Sequence, residues 1–558
     1  TQPHNHMLPF TLPIQVRLQL QLQFLRGFKR QAYPRHATRK PLPKAKAKSS
    51  SSSYGSASAS ASASDSSDAY PPYKFGPYAS LNLPDEKARE GVRRLVSQIT
   101  DFSELKILPE IRAALIAEIK QNTVLRDQNY MSSTKKVKSV GELNGLIIRP
   151  TPIQTGAIKI INDKRKPEDF FKAFTLAAET GSGKTWAYLA PLLQQLVEGR
   201  QSEATKDVDI TAEGKVVPVT STSVTPTIKH RAGIKSIILV PTHELVDQVY
   251  STLQFTAEAL NMSVLKWDTD SNFKTFIAAF RQGIDIMVTT PGKLNALSHY
   301  DSVANMRQLF GSTSFCVVDE ADTLMDPSFI EDTSSLLKYM SNLSTLVFAS
   351  ATIPSKLTKA LQLMYPKQLT HISTPSLHKL PKSIEFRTIN AAVSPYKGSK
   401  MKALAQALYA IHCDGTERGY TKRVIVFVNK KDDVPRVSER LAKEFGHDVT
   451  YISSMDTPDE RREKVAPFVS PPAPLSDPTR PMLKVLVCTD LLSRGLNFHS
   501  IRNVVLLDVP GSSADLVHRA GRTGRMNQSG RVFLIISDSD RSHVKGLPKV
   551  LRNNRRLG

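Results

Sequence analysis

Short apolar runs recur along the chain after Pro150, and stretches with helical spacing separate them. Each run has between five and eight residues rich in Val, Ile, Leu and Phe, which is typical of a strand buried on both faces. The runs are SIILV (236–240), IDIMVTT (284–290), SFCVVD (314–319), STLVFAS (344–350), RVIVFVN (423–429), VTYISS (449–454), LKVLVCTD (483–490) and VVLLD (504–508). Strands that alternate with helices predict an α/β fold with parallel sheets.

This alternation pauses in the polar, proline-containing stretch 373–400. We interpret the stretch as a joint between two tandem α/β domains, since 558 residues exceed what one hydrophobic core usually holds. Upstream, LKILPEIRAALIAEIK (105–120) spaces its apolar residues three and four apart and predicts a helix. The predicted regions are an N-terminal arm (1–68), a flanking region (69–148), a first domain (149–372), a linker (373–400), a second domain (401–540) and a basic tail (541–558).

The first 64 residues contain no Asp or Glu, and leucines and phenylalanines lie among their arginines and lysines. A serine-rich stretch follows and predicts a flexible, disordered linker. A basic, acid-free N-terminus followed by serines is typical of a mitochondrial presequence, so we predict import into the mitochondrial matrix. A disordered RNA-binding arm is the alternative, because QVRLQLQLQF (15–24) alternates with period two and has weak helical amphipathicity.

The charge balance narrows the choice of partners. The chain has 75 Lys and Arg against 51 Asp and Glu, a formal net charge of +24, which favours nucleic acid or, less often, an anionic membrane surface. Membrane insertion is not expected, because no uninterrupted apolar stretch approaches the roughly 18 residues of a membrane span. The three cysteines, Cys316, Cys413 and Cys488, are scattered and indicate neither a disulfide framework nor a metal site.

A glycine-containing octet, AETGSGKT, begins at Ala178 and precedes an apolar helical stretch. Gly181 and Gly183 allow the backbone to turn its N–H groups toward phosphate oxygens. Lys184 supplies a positive charge for the β- and γ-phosphates, and the Thr185 hydroxyl can bind Mg²⁺. Ala178 stands where the general P-loop pattern has its first glycine, so the octet alone leaves an ordinary glycine loop open.

Three carboxylates, Asp319, Glu320 and Asp322, follow the first apolar residues of FCVVDEADTLM (315–325), although the chain as a whole is basic. Residues 319–322 are called the acidic tetrad below. A P-loop that hydrolyses a nucleotide requires a neighbouring strand that ends in acidic residues, which bind the metal ion and the attacking water. Asp319 would hold Mg²⁺ through water, and Glu320 would orient and deprotonate the attacking water. The alternative for the acidic tetrad alone is a solvated helix N-terminus, where carboxylates suit the helix dipole.

Nine segments of the chain occur in the order of the conserved motifs of one enzyme family. They are PTPIQ (150–154), AETGSGKT (178–185), PTHELVDQ (241–248), TPGKL (290–294), DEAD (319–322), SAT (350–352), VIVFVN (424–429), TDLLSRGLNF (489–498) and HRAGRTGR (518–525). On these residues the chain resembles the DEAD-box RNA helicases of superfamily 2, over roughly residues 100 to 540.

The resemblance implies two tandem RecA-like domains that close on ATP and RNA, with ATP and Mg²⁺ as cofactors. The ATP-binding positions would be Phe102, Gln154, Thr180, Gly181, Ser182, Gly183, Lys184, Thr185, Gly495 and Asn497. The catalytic positions would be Lys184, Asp319, Glu320, His518, Arg522 and Arg525. Both arginines would act as fingers that stabilise negative charge on the transferring phosphoryl group.

Further roles follow from the same resemblance. Mg²⁺ would be bound by Thr185 and Asp319. Coupling between the domains would involve Asp322, Ser350 and Thr352. The RNA-binding positions would be Thr242, Thr290, Gly292, Lys293 and Thr489. Because this family contacts mainly the sugar–phosphate backbone, we expect RNA binding that is independent of base sequence and sensitive to salt.

The chain departs from the family pattern at several places. His243 and Lys293 replace arginines, Asn497 replaces aspartate, Pro458 replaces glutamine, and no glycine pair occurs in LKWDTDSNFK (265–274).

The aromatic residue that stacks on adenine in this family is also uncertain from the sequence. Phe102 matches the segment that carries it, but residues 121–145 lengthen the connection to Gln154. Tyr130, or no stacking residue at all, therefore remains an alternative.

These observations predict an ATP-dependent RNA helicase or RNA-remodelling ATPase. Its similarity to fungal mitochondrial members of the family implies roles in mitochondrial RNA metabolism or assembly of the large ribosomal subunit. We expect RNA as the partner and a monomer, either alone or within a ribonucleoprotein assembly. A catalytically weak RNA-binding scaffold of the same fold is the alternative.

Overall fold

The computed structural model describes residues 73, 81, 86–122, 148–163, 170–206, 208–210, 216–218, 232–300, 303, 305–453, 455–470, 472–476, 482–490, 498, 501–524, 529–540 and 542–557. The predicted N-terminal arm lies outside these residues, and so do Tyr130, Gly495, Asn497 and Arg525.

The first domain is built on seven parallel strands in the spatial order β5-β6-β4-β7-β8-β1-β9. In chain order the strands are β1 (Lys172–Ala177), β4 (Ile234–Leu239), β5 (Val264–Trp267), β6 (Ile284–Thr289), β7 (Phe315–Asp319), β8 (Thr345–Ser350) and β9 (Leu369–Ser373), and a separate antiparallel pair is formed by β2 (Val208–Ile210) and β3 (Val216–Pro218). Every residue of β6, β7 and β8 is buried, as expected for apolar strands covered on both faces.

The second domain is built on six parallel strands in the order β10-β15-β14-β11-β13-β12. Their bounds are β10 (Ile384–Asn390), β11 (Lys422–Phe427), β12 (Asp448–Tyr451), β13 (Leu483–Cys488), β14 (Asn503–Leu506) and β15 (Gly530–Ile536). Two parallel-sheet domains of this kind confirm the predicted α/β fold.

Helices cover both faces of the two sheets. They are α1 (Glu86–Gln98), α2 (Pro109–Asn122), α3 (Pro152–Ile161), α4 (Lys184–Lys206), α5 (His243–Ala259), α6 (Phe273–Gln282), α7 (Pro291–Asn295), α8 (Met306–Leu309), α9 (Ala321–Leu324), α10 (Ile330–Tyr339), α11 (Ser355–Met364), α12 (Lys400–Cys413), α13 (Asp433–Phe445), α14 (Pro458–Val469), α15 (Ser513–Ala520) and α16 (Ser542–Arg552). None of the described helices is long and apolar enough to cross a membrane.

The region ahead of the first domain belongs to that domain's core. Val92 of α1 and Ile111 of α2 are buried in the same apolar cluster as residues of β1 and α4. The predicted helix over 105–120 begins later than expected, at Pro109, because the residue before a proline disfavours helical backbone; a short 3-10 turn at Phe102–Glu104 lies further upstream.

Two of the predicted boundaries differ from the structure. The stretch 373–400, expected to be a linker, contains β10, which pairs along its whole length with β15. The predicted basic tail 541–558 is folded over residues 542–557. It forms α16, and Val544, Leu547 and Leu557 are buried in the core of the second domain.

An ionic cluster in the second domain joins the C-terminal end of α12 to the first residues of β11 and β15. Lys422, whose side chain is 3% exposed, donates to Asp414 at 2.8 Å, and Arg531 also pairs with Asp414. Burial alone would raise the pKa of Asp414, but hydrogen bonds from Lys422, Thr416 and Arg531 outweigh this effect and hold the pKa well below its ordinary value.

Asp414→Asn is expected to destabilise the second domain by about 2 kcal/mol at neutral pH, because it leaves the buried Lys422 ammonium without its counter-charge. A lowered pKa stabilises the fold above the pKa of the unfolded chain, and this stabilisation is lost as the pH falls below about 4. Urea unfolding monitored between pH 7 and pH 3 should therefore show a weaker pH dependence for the variant. Glu439→Gln, which removes a carboxylate from an exposed pair with Lys443, is the control. Equal acid sensitivity of Asp414→Asn and the wild type would contradict the prediction.

Candidate functional site

The predicted P-loop turns between the end of β1 and the start of α4. Gly181 and Gly183 have φ angles of 77° and 87°, which glycine adopts without steric cost. Lys184 is the first residue of α4, and its Nζ donates to the carbonyl oxygens of Ala178 and Glu179 at 2.8 and 3.1 Å. The lysine charge thus lies inside the loop, where phosphate oxygens can compete with these carbonyls.

Gln154 is packed directly against this loop. Its Oε1 accepts from the Thr151 N–H at 2.9 Å, which closes a capping box at the start of α3, and its Nε2 donates to the Gly183 carbonyl at 3.3 Å. A Cβ atom on Gly183 would lie 2.6 Å from Gln154 Nε2, so a glycine is needed here on steric grounds as well. The carboxamide therefore links α3 to the P-loop, and ATP binding by Gln154 remains a prediction.

The acidic tetrad starts at the carboxyl end of β7. Strand β8 lies between β7 and β1, so the tetrad, the SAT segment and the P-loop share one edge of the sheet. Asp319 Oδ2 accepts from the Tyr188 hydroxyl at 2.9 Å, and Asp319 Oδ1 accepts from the Glu320 N–H at 2.9 Å. Glu320 itself has a φ of 48°, a left-handed conformation that is uncommon for a non-glycine residue and concentrates at functional sites.

The electrostatics around Asp319 fit a bound divalent cation. Burial and the neighbouring Glu320 carboxylate raise the pKa of Asp319 to about 6, even though the Lys184 ammonium opposes both effects. Glu320 Oε2 is buried without a hydrogen-bond partner among the described residues. Carboxylate and hydroxyl oxygens are the ligands that Mg²⁺ prefers, so Asp319 and Thr185 suit the metal predicted for them.

A buried hydrogen-bond network joins the tetrad to the second domain. Asp322 Oδ2 accepts from Thr352 Oγ1 at 2.5 Å and lies 2.7 Å from His518 Nε2 of α15. Ser350 Oγ donates to the Thr352 carbonyl at 2.7 Å and fixes the turn of the SAT segment. Ligand atoms of Glu320, Asp322 and His518 lie within 4.8 Å of one another, but the direct Asp322–His518 bond already uses two of these groups. The residues predicted to couple the domains are therefore brought together.

The P-loop also touches the second domain directly. Thr180 Oγ1 donates to the Gly521 carbonyl at 3.3 Å, and a Cβ atom on Gly521 would lie 2.0 Å from that hydroxyl. Arg522 is 3% exposed, and its Nε donates to the His518 carbonyl at 3.1 Å. The predicted finger Arg522 is thus adjacent to the P-loop contact, whereas the predicted partner finger at 525 lies outside the described residues.

Arg519 of α15, which was not predicted from the sequence, connects the segments that follow β11 and β13 in the second domain. Its guanidinium donates to both Asp490 carboxylate oxygens at 2.7 and 2.6 Å, and also to Asn429 Oδ1. Thr489, a predicted RNA contact, lies between the last residue of β13, Cys488, and Asp490, and is therefore next to this pair in the chain.

The predicted RNA contacts of the first domain lie at helix N-termini. Thr242 caps α5 by accepting from the Leu245 N–H at 3.3 Å, and Thr290 caps α7 by accepting from the Lys293 N–H at 3.4 Å. Gly292 is exposed in the first turn of α7. The N–H groups and partial positive charge at such termini bind phosphate, so the geometry suits a sugar–phosphate backbone.

The segment that replaces the family's glycine pair contains the buried Trp267. The Lys293 ammonium lies 4.9 Å from the centre of its ring, and the indole N–H donates to the Lys293 carbonyl at 3.3 Å. This cation–π contact fixes both ends of Lys293, which replaces an arginine of the family.

Charged residues of the same segment reach the second domain. Arg462 of α14 pairs with Asp270 and lies 3.8 Å from Asp247, and Arg461 pairs with Glu244 at 3.2 Å. The two domains therefore meet through ion pairs beside α5, the helix that Thr242 caps.

Phe102 has no exposed surface and is packed in the core of the first domain. Its predicted stacking on adenine would require the ring to leave that core.

Glu179 is a P-loop residue whose partners the sequence did not reveal. Its carboxylate accepts from Thr374 Oγ1 at 2.7 Å and from Ser376 Oγ at 2.5 Å. Both hydroxyls lie in the segment that follows β9, almost 200 residues along the chain, and the local sequence gives no signal for such a contact.

Comparison with known proteins agrees with this arrangement. A model of DEAD/DEAH box helicases matches residues 151–360, and a model of the helicase conserved C-terminal domain matches residues 399–527. The chain is 40% identical to the protein named ATP-dependent RNA helicase MRH4, mitochondrial, of Debaryomyces hansenii, over 87% of this chain and 89% of that protein. The protein of the same name in Saccharomyces cerevisiae is also 40% identical, over 87% of each chain.

Solved structures are similar in fold. Mss116p bound to single-stranded RNA and AMP-PNP superposes with a TM-score of 0.55 at 20% identity, over 78% of this chain and 77% of that one. Dbp5 of Saccharomyces cerevisiae bound to RNA and ADP BeF3 gives a TM-score of 0.54 at 19% identity, over 81% and 93% of the two chains.

Gln154→Glu is expected to weaken ATP binding about tenfold, because it replaces the donor to the Gly183 carbonyl by a repelling carboxylate oxygen. The capping box can persist, since Glu also accepts from the Thr151 N–H. Titration of a fluorescent ATP analogue measures the change. Glu460→Gln is the matched control, because it alters the equivalent capping box with Thr457 at the start of α14. Equal affinity of Gln154→Glu and the wild type would show that this contact does not shape the P-loop.

Proposed function

Because the chain belongs to the DEAD-box family of ATP-dependent RNA helicases, we propose that it couples ATP hydrolysis to the remodelling of RNA in mitochondria. The observation that carries this proposal is the buried contact of the acidic tetrad with α15, in which Asp322 lies 2.7 Å from His518. That contact ties the residues proposed for hydrolysis in one domain to the position of the other. RNA that bridges the two domains would therefore control turnover.

Within the first domain, the P-loop holds the phosphates and Lys184 exchanges its carbonyl partners for β- and γ-phosphate oxygens. Glu320 orients the attacking water and accepts its proton, since its Oε2 is buried and has no other partner among the described residues. Thr185 and Asp319 would hold Mg²⁺, which would supply Lewis acidity to neutralise charge on the phosphate oxygens. Arg522 contributes positive charge from the second domain to the transition state.

The N-terminal residues of α5 and α7, with Thr242 and Thr290 as caps, bind phosphates of the RNA strand, and Lys293 adds a fixed charge. Thr489 extends this path onto the second domain. The protein acts as a monomer or within a ribonucleoprotein assembly, and its role lies in mitochondrial RNA metabolism or in assembly of the large mitochondrial ribosomal subunit.

The mitochondrial setting is supported by the names of relatives that align over 87% of the chain. The acid-free N-terminal arm supports it independently.

The first test is ATP hydrolysis by residues 69–558 with and without single-stranded RNA. We expect RNA to stimulate turnover and DNA of the same sequence not to, because 2′-hydroxyl contacts distinguish the two. Glu320→Gln should lower the RNA-stimulated rate by roughly 100-fold or more, since it removes the general base. Asp326→Asn, an equivalent change at an exposed acidic residue nearby, is the control. RNA binding without turnover above the Glu320→Gln background would favour the scaffold function instead.

The N-terminal arm can be tested separately by fusing residues 1–68 to a fluorescent protein in yeast. We expect the fusion to enter mitochondria and to lose import when Arg17, Arg26 and Arg30 are changed to Gln, because these cations lie among the apolar residues of the arm. Replacement of Lys44, Lys46 and Lys48 by Gln removes the same charge next to the serine-rich stretch and is the control. A wild-type fusion that stays in the cytosol would leave the RNA-binding arm as the better interpretation.

A further inference from the structure

The segment 374–378, directly after β9, bonds to the entrance of the P-loop. The Thr374 N–H donates to the Ala177 carbonyl at 3.0 Å, at the end of β1. The hydroxyls of Thr374 and Ser376 then donate to the two carboxylate oxygens of Glu179. Because the same backbone stretch leads into the loop that cradles phosphate, any shift of 374–378 is transmitted to Ala178 and Glu179, the residues whose carbonyls hold Lys184.

The other end of the segment bonds to the SAT turn. His378 is 1% exposed and its Nε2 accepts from the Ile353 N–H at 3.1 Å. Burial, together with the nearby Arg556 guanidinium, lowers the pKa of His378 to about 3 against the opposing effect of the Asp322 carboxylate, so the imidazole is neutral and Nε2 keeps its lone pair. Ile353 follows Thr352, which donates to Asp322. The segment thus touches both parts of the ATPase site.

The C-terminal end of the chain holds this segment in place. Arg556 is 5% exposed, and its guanidinium donates to the Leu377 carbonyl at 2.8 Å and to the Pro375 carbonyl. The Leu557 N–H donates to the His378 carbonyl at 3.0 Å, and Leu557 is fully buried in the core of the second domain. A planar guanidinium with several fixed donors suits two carbonyls on one short segment, which a lysine cannot bond in the same way.

Burying a guanidinium is costly, and anchoring of the chain end alone does not call for one, since the buried Leu557 already supplies apolar contact. The charge is instead placed where it orders the backbone carbonyls between Thr374 and His378. His378 adopts a φ of 63°, a conformation that needs surrounding contacts to persist in a non-glycine residue. Arg556 and Leu557 provide such contacts on both sides of it.

We propose that Arg556 is a positioning residue for ATP hydrolysis, which fixes segment 374–378 so that Glu179 orients the P-loop and His378 orients the SAT turn. This inference rests on the proposed ATPase function. It assigns to the C-terminal end of the chain a part in a reaction centred in the first domain.

The test compares Arg556→Gln and Arg556→Lys with Arg552→Gln in the full chain, where Arg552 is an exposed arginine of α16 that supplies the charge-matched control. The readouts are kcat and KM for ATP at saturating single-stranded RNA, and amide hydrogen exchange in peptides that cover 177–184 and 350–354. The same arginine changes are made in a Thr374→Val, Ser376→Ala background, which removes the hydroxyl donors to Glu179.

We expect Arg556→Gln to lower kcat about tenfold through misplacement of the P-loop and to speed exchange in both peptides. Arg556→Lys should recover part of the rate, because it keeps the charge but loses the fork, and Arg552→Gln should match the wild type. In the Thr374→Val, Ser376→Ala background the further loss from Arg556→Gln should be smaller than in the wild type, because both changes break one path.

A kcat for Arg556→Gln equal to that of Arg552→Gln would overturn the proposal while leaving the ATPase function intact. Effects that multiply fully in the combined variant would overturn it too, since they would indicate general destabilisation. If Arg556→Gln fails to fold, Arg556→Lys carries the comparison. If the wild type shows no RNA-stimulated hydrolysis, the proposed function fails. Hydrogen exchange then decides whether Arg556 orders the two peptides. Equal exchange in Arg556→Gln and the wild type would refute the proposed role of Arg556.

Discussion

One buried carboxylate, that of Asp322, accepts hydrogen bonds from both domains. Its side chain and that of His518 are only 4% and 3% exposed, and Thr352 of the same domain is its second partner. A carboxylate in such surroundings is stable only while its donors are present, because removing a partner leaves buried charge uncompensated. Separation of the domains therefore requires water to replace His518 at Asp322. Movement of the second domain and hydration of Asp322 at the catalytic edge of the sheet therefore occur together.

The contacts around that carboxylate divide into those that sequence spacing determines and those that tertiary packing determines. The P-loop, the tetrad and the SAT segment each follow a short apolar strand directly, so their common edge could be predicted once parallel pairing was inferred. The strands β7 and β8 were predictable because every residue in them is buried, which gives the sequence a continuous apolar run. The positions of strands in the sheet could therefore be inferred from short apolar runs wherever a strand is covered on both faces.

Other parts of the fold could not be predicted in this manner. Strand β10 lies at the edge of its sheet and only Phe386 in it is buried, so IEFRTIN lacks the continuous apolar pattern of the central strands. Arg556 looks like one of several basic residues in a polar tail, and only its packing shows that its partners are carbonyls of a distant segment. Phe102 matched its motif by spacing, but its burial depends on how α1 and α2 cover the first domain.

The cation–π pair of Lys293 and Trp267 also has a spectroscopic consequence. Of the two tryptophans in the chain, Trp186 follows Thr185 in α4 and donates its indole N–H to Glu118 at 2.7 Å. The other, Trp267, has the Lys293 ammonium over its ring. Because indole emission responds to a charge held against the ring, the fluorescence of Trp267 depends on where that lysine lies, and Trp186 marks the nucleotide end. The molecule thus carries two intrinsic fluorophores, one beside the P-loop and one beside Lys293, a proposed RNA contact, without chemical modification.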